Sequence, residues 1–349
     1  MWVTKLQFMK HILSLNQLLG VLVLTASMLS ASHMSAAETT LLNVSYDVTR
    51  EFYKDFNAAF SDYWKQRTGQ GITINQSHGG SSKQARSVID GLQADVVTMN
   101  QALDIDVLHE KAKLIPTNWA TRLPNHSVPN NSTILFVVRK GNPKKIKDWD
   151  DLIKPGVSVI IPNPKTSGNG RYSYLAGWGY ALKRANGDET KAREYVTKLF
   201  GNVPVLDAGG RGATTTFAQR DIGDVLLTFE NEVALIQKEF AANSLQVVTP
   251  TSSILAENPV VWVDKVVNKR GTEELAKAYL EYLFSETGQE LAVKHNFRPQ
   301  SATVLARHAN QFKQLELFTV DQVAGGWALA QKTHFADGGI FDQIYQPTK

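Results

Sequence analysis

Strand-sized apolar runs alternate with helical stretches along most of this chain, and a chain with that alternation has few folds open to it beyond a mostly parallel sheet covered by helices. The first run is LLNVS at 41–45. From Thr49 the positions Phe52, Tyr53, Phe56, Ala59, Phe60, Tyr63 and Trp64 recur at helical spacing with charges between them, and the pattern stops at Thr68-Gly69. Residues 72–77 are strand-like, the loop His78-Gly79-Gly80-Ser81-Ser82 follows, 83–92 reads as a helix and 94–98 as the next strand.

The same grammar restarts near Ser132. STILFVV and VSVII (157–161) read as buried strands, and the loop 163–170 leads into a helix through Tyr172, Leu175, Ala176, Tyr180 and Leu182. Residues 203–206 lead into Asp207-Ala208-Gly209-Gly210-Arg211-Gly212, with a helix start predicted at Ala213, a strand at 224–228 and a helix at 230–240. An extended segment at 254–263 is expected to return to the first lobe, and helices dominate the rest. The expectation is an α/β chain of two lobes, each a mostly parallel sheet flanked by helices, with the second (128–252) inserted in the first (38–127 and 253–349). At 349 residues there is length for both cores.

The first 37 residues stand apart. Lys5 and Lys10 precede an apolar run from Leu18 to Leu29, and Ser35-Ala36-Ala37 puts small residues where a signal peptidase reads. The run is shorter than the ~20 residues of a membrane span, so an export signal, removed on secretion, is the expected reading. With no cysteine there is no disulfide framework, no thiolate metal site and no point for lipid attachment after cleavage. A soluble periplasmic product is expected. Taking Lys5 and Lys10 from 37 basic residues leaves 35 against 33 acidic ones, too even a balance for nucleic acid or an anionic membrane surface.

Four loops share one form, in which a strand ends, small residues turn the chain and a helix begins: Ser45-Tyr46-Asp47, Gly80-Ser81-Ser82, Ser167-Gly168-Asn169 and Gly209-Gly210-Arg211. A helix start presents unpaired N–H groups and about half a positive charge, so each is a potential anion seat; taken singly, each is also an ordinary turn and N-cap. In open α/β sheets ligands sit beyond the carboxyl ends of the strands, where all four loops fall. Other chemistry lacks its signature. There is no G-x-x-x-x-G-K-[ST], no G-x-G-x-x-G and no G-x-S-x-G, and His109-Glu110 has no second histidine to complete H-E-x-x-H. No metal, cofactor or catalytic residue is expected. Tyr172 and Trp178 read as core, and Arg211 reads either as an anion ligand or as a charge tying its loop to a carboxylate, with the second preferred.

Read together, SYDVTRE (45–51), QSHGGSSKQA (76–85), VVRKGNP (137–143), PNPKTSGNGRY (162–172), LDAGGRGATTTF (206–217), GDVLLTFENE (223–232) and HFADGG (334–339) resemble the periplasmic sulfate and thiosulfate binding proteins of ABC importers, and the match runs through nearly the whole chain after residue 37. The resemblance implies the two-lobed clamp of type II periplasmic binding proteins, a monomer that holds a dehydrated anion in the interlobe cleft and delivers it to membrane permease subunits. It implies that the backbone N–H groups of Asp47 and Ser81 serve from the first lobe. Those of Gly168, Asn169 and Gly210, with the Ser167 hydroxyl, serve from the second. The family's sulfate binders have a second glycine where this chain has Asn169, which is tolerable if only the N–H is used. They also supply an indole N–H where this chain has Phe229, and SYDV, KTSGN and GGRGATTTFA look closer to the thiosulfate-binding branch.

The implied site suits such anions. Sulfate and thiosulfate near pH 7 only accept hydrogen bonds, whereas hydrogenphosphate brings a proton that an all-donor site cannot receive. In the implied geometry the Asp47 carboxylate is turned into capping. Two alternatives stand beside this one: an exported enzyme acting on sulfate or phosphate esters, and a binder of another tetrahedral oxyanion such as molybdate or phosphate.

Overall fold

The computed structural model describes residues 39–239 and 245–345; the expected export signal and the last residue of the expected 230–240 helix lie outside them. The smaller of two sheets has the order β2-β1-β3-β9, built from β1 (Thr39–Tyr46), β2 (Ile72–Gly79), β3 (Val96–Thr98) and, from far along the chain, β9 (Val260–Trp262). β1 and β3 run parallel and β9 antiparallel to β3. Successive side chains on a strand face opposite ways. Val96 and Trp262 therefore join one core cluster, with Phe52, Phe56, Phe60 and Trp64 of α1 (Arg50–Thr68), while Val97 and Val261 join another on the opposite face. That second face is covered by α2 (Ser81–Ile89) and α3 (Leu103–Ala112). α1 stops at Gly69, whose φ of 75° is the left-handed cap that a glycine takes without strain.

The larger sheet centres on β4 (Asn130–Arg139) and has the order β11-β8-β4-β6-β5, with β7 and β10 also paired to β4. Its other strands are β5 (Val159–Ile160), β6 (Val225–Phe229), β7 (Leu245–Val248), β8 (Ser252–Glu257), β10 (Arg298–Pro299) and β11 (Glu316–Phe318). Ile134, Phe136 and Val138 face one core and Leu135 and Val137 the other, so the run reads as unbroken apolar because both sides are covered. The covering helices include α4 (Gly168–Arg184), α5 (Glu189–Gly201), α6 (Gly210–Thr214) and α7 (Glu230–Glu239).

Strand directions are more mixed than the strand-loop-helix grammar predicts, since β4 is antiparallel to β6, β7, β8 and β10. The cause is connectivity. β4 enters the larger sheet from the smaller lobe and β8 leaves it toward β9, so the two crossing strands lie side by side, Asn131 opposite Glu257. At the crossing, Asn258 donates its backbone N–H to Asn130 O (3.2 Å) and its side-chain amide to Asn130 Oδ1 (2.8 Å).

The return to the smaller sheet is brief. α8 (Glu273–Tyr282) packs Leu275, Ala276, Tyr279 and Leu280 against α1 and β9. The chain touches the larger sheet again at β10 and returns to it beyond residue 315. β11 pairs with β8, and Phe318, Val320, Ala330, Phe335 and Phe341 complete the core that contains Trp149, Tyr174 and Phe200. Residues 253–257 of β8, β10 and residues 316–345, expected from sequence in the first lobe, thus pack with the larger sheet, and α9 (Ile340–Ile344) lies against α5.

Candidate functional site

Each of the four loops opens a helical turn in the structure. Asp47 begins a short 3₁₀ turn, Asp47–Thr49, that runs into α1, and Ser81, Gly168 and Gly210 are the first residues of α2, α4 and α6. α6 begins three residues earlier than Ala213, where the sequence pattern places it, because Gly209 is extended (φ −162°, ψ 173°) and helical dihedrals start directly after it. It continues as the π turn Thr215–Gln219.

The four loops converge, two from each lobe, and the packing shows how closely. A Cβ on Gly80 would lie 2.9 Å from Thr166 O and 3.2 Å from Ala208 O, both backbone atoms of the opposite lobe. One on Gly209 would lie 2.7 Å from Asp47 Oδ2, and one on Gly210 3.1 Å from Val48 Cγ1. The φ of Gly80 is −56°, open to any residue, so here glycine supplies space rather than a special conformation. On Gly168 a Cβ would run into the buried Asn100 amide.

Side chains at the cleft are largely committed to one another. The Ser81 hydroxyl donates to Asp104 Oδ2, which leaves the Ser81 N–H as its remaining donor. Asn169 donates to Thr228 Oγ1 (3.0 Å) and accepts from Ser173 Oγ (3.2 Å), so its amide is held by its neighbours. Ser167 Oγ caps α4 by accepting from Gly170 N at 3.4 Å, which leaves the hydroxyl proton free to donate elsewhere. Phe229, 1% exposed at the end of β6, stands edge-on between Tyr46 and Tyr172, with centroids at 6.3 and 5.8 Å.

Charged groups surround the loops, several of them paired across the lobes. The Asp47 carboxylate accepts from Arg211 N at 3.3 Å, so it does cap a helix, but the helix belongs to the other lobe. Burial raises the Asp47 carboxyl above the usual carboxylate range, against the lowering effect of that N–H and of the Arg211 charge. Arg211 reaches Glu51 at 2.6 Å and the buried Glu232 at 3.3 Å. Arg211 thus ties its loop to carboxylates, as expected. Burial pushes the Glu232 carboxyl up to about 8, opposed by Arg211 and reinforced by Asp47. Arg171, 7% exposed, faces Asp104 at 3.7 Å.

Sequence reasoning missed Asn100, Glu51, Asp104, Arg171 and Glu232. Glu51, Arg171 and Glu232 lie in motifs that could have drawn attention, SYDVTRE, SGNGRY and FENE; Asn100 and Asp104 sit among ordinary helix charges and turns. Among the described residues no group of three or more His, Cys, Asp or Glu is placed to hold a metal ion, and no helix is long and apolar enough to cross a membrane.

A family model described as bacterial extracellular solute-binding protein matches residues 46–298, more than half of the chain and every loop residue of the four but Ser45. The chain belongs to that family. It is 58% identical over 324 residues to the thiosulfate-binding protein of Pseudomonas aeruginosa, covering 93% of this chain and 97% of the relative. It is 56% identical over 317 residues to the sulfate-binding protein of Escherichia coli, covering 91% and 96%. Among solved structures, the sulfate-binding protein SubI from Mycobacterium tuberculosis H37Rv aligns with a TM-score of 0.77 at 30% identity, over 86% of this chain and all of that one. In a solute-binding protein the cross-lobe pairs have a mechanical meaning, because contacts of this kind form when the lobes close and are lost when they part.

Proposed function

We propose that this chain captures thiosulfate and sulfate between its lobes and delivers the anion to the permease of an ABC importer. The observation that carries the reading is the meeting of four helix starts, two from each lobe, with Asp47 and Arg211, Asp104 and Arg171 and the Asn169 amide already engaged beside them. The N–H groups of Asp47, Ser81, Gly168, Asn169 and Gly210 and the hydroxyl of Ser167 are the donors, and Phe229 is an apolar wall. Net of exchange with water, hydrogen bonds to a charged acceptor contribute about 1.5–3 kcal/mol each, so half a dozen together favour the bound anion. Donors on both lobes make binding and closure one event.

Several features support this reading over its alternatives. The Ser81 hydroxyl, three residues after His78, is taken up by Asp104, and the relatives reported above are named as binding proteins. The all-donor shell disfavours a protonated anion such as hydrogenphosphate. Working in the periplasm requires removal of the first 37 residues, and mass spectrometry of the exported chain should find an N-terminus near Glu38.

The test is a thermal-shift screen of the mature chain at pH 7 with equal concentrations of thiosulfate, sulfate, molybdate and phosphate. A ligand at a hundred times its Kd stabilises by about 2.7 kcal/mol, a shift of several degrees. Thiosulfate and sulfate should raise the midpoint and phosphate should not. A larger shift with molybdate or phosphate would transfer the assignment to that anion.

A further inference from the structure

Lys165 lies two residues before Ser167, yet its ammonium makes no contact within its own loop. It donates to Phe335 O (3.0 Å), Asp337 Oδ1 (3.2 Å) and Asp342 Oδ2 (2.9 Å), all in the C-terminal segment some 170 residues further on. An ammonium has three protons, and here each has an acceptor. Asp342 is itself fixed, because its Oδ2 also accepts from Gly338 N at 2.9 Å.

The segment that supplies these acceptors is anchored independently. Phe335 and Phe341 are buried in the larger core, and the Phe335 ring lies 5.6 Å from the Arg171 guanidinium, whose Nε holds Pro164 O at 2.9 Å. Phe335 thus bears on loop 163–167 twice, by its carbonyl through Lys165 and by its ring through Arg171. Ion pairs as exposed as Lys165 with Asp337 contribute little to global stability, so this network acts on local placement.

We propose that Lys165 is a positioning residue for the anion site, clamping the Thr166–Asn169 turn to the C-terminal segment through Asp342 and the Phe335 carbonyl and so fixing where the Ser167 hydroxyl and the Gly168 and Asn169 N–H groups stand. This rests on the anion-binding reading above. A constellation of donors works only when its support holds it to within about half an ångström; on this loop the local bonds of Thr166 N and Ser167 N to Asn163 O (3.1 and 2.9 Å) shape the turn, and the Lys165 ammonium ties that turn to a distant part of the chain.

The experiment is calorimetric titration of the mature wild-type chain, Lys165→Met, Lys165→Arg and Asp342→Asn with sulfate and thiosulfate, together with the ligand-free melting midpoint of each. Lys165→Met and Asp342→Asn should each weaken binding about tenfold or more, Lys165→Arg should stay within about threefold of wild type, and the midpoints should agree within about 2 °C. Asp342→Asn separates positioning from simple charge. If Lys165 acted as a positive charge attracting the anion, removing the neighbouring carboxylate would tighten binding, and that result overturns the proposal. So do an unchanged Kd for Lys165→Met and a loss of affinity matched by a fall in the ligand-free midpoint. A wild-type chain that binds neither anion overturns the functional reading and this proposal with it, whereas a wild type that binds beside variants that are unaffected overturns this proposal alone.

Discussion

Phe229 is held edge-on by one tyrosine from each lobe, and in that position its lack of a hydrogen-bond donor has a chemical consequence. Thiosulfate replaces one oxygen by a larger sulfur that accepts hydrogen bonds poorly. A buried indole N–H facing that sulfur would be left badly paired, at about 1–3 kcal/mol, whereas a phenyl ring leaves no donor to satisfy. Phe229→Trp should therefore shift the ratio of affinities toward sulfate. The ratio is the proper readout, because any overpacking in this fully buried place affects both ligands alike; an unchanged ratio would remove Phe229 from the ligand shell. Glu232 makes a different prediction. Its folded pKa of about 8 lies above the unfolded value near 4.5, so the folded chain keeps a proton that the unfolded chain releases as pH rises between those values. Stability is therefore lost with rising pH across that window, with a slope of up to about 1.4 kcal/mol per unit from this one group. Glu232→Gln should flatten the dependence and be more stable than wild type at pH 8 in denaturant unfolding of the ligand-free chain. An equally steep slope in the variant would place the proton elsewhere.

Helix starts are the elements on which the site is built, and Gly80 tests whether their approach is needed. Its dihedrals accept alanine, but the added Cβ would meet the backbone of Thr166 and Ala208 across the cleft. Gly80→Ala should leave the separate lobes folded and oppose closure by about 1–3 kcal/mol, seen as a weaker Kd for sulfate with little change in the ligand-free midpoint. Equal affinity would show that the loops part without loss of binding. These elements were legible because their signals are local: a two-residue period covered on both faces gives an apolar run, and small residues between run and helix give the turn. The start of α6 was misread because two glycines look like loop, although the extended Gly209 leaves Gly210 free to open the helix. Pairings across the chain carried no such signal. Lys165 with Asp342 and Arg171 with Asp104 join residues that look like ordinary surface charges in their own segments. The packing of 316–345 on the larger sheet was equally hidden, since an apolar stripe says that a helix is covered and not by which sheet.

At the scale of the whole molecule two lobes are joined by the antiparallel crossing strands β4 and β8, and they meet through Asp47 with Arg211, Glu51 with Arg211 and Asp104 with Arg171. All three contacts cross the cleft beside the proposed donors, so on the proposed function ligand and lobes are coupled: without an anion the facing helix starts repel one another, and with one they would share it. X-ray scattering should accordingly show a smaller radius of gyration on adding thiosulfate to the mature chain, and an unchanged radius would mean that closure does not depend on ligand. On the proposed function, an anion is held between the lobes by uncharged donors from both. Calorimetric titration of the ligand-free mature chain with thiosulfate tests it most directly. One anion should bind per chain, with a Kd well below about 1 mM, and sulfate should compete for the same site; a titration to millimolar thiosulfate and sulfate that shows no saturable binding would contradict the account.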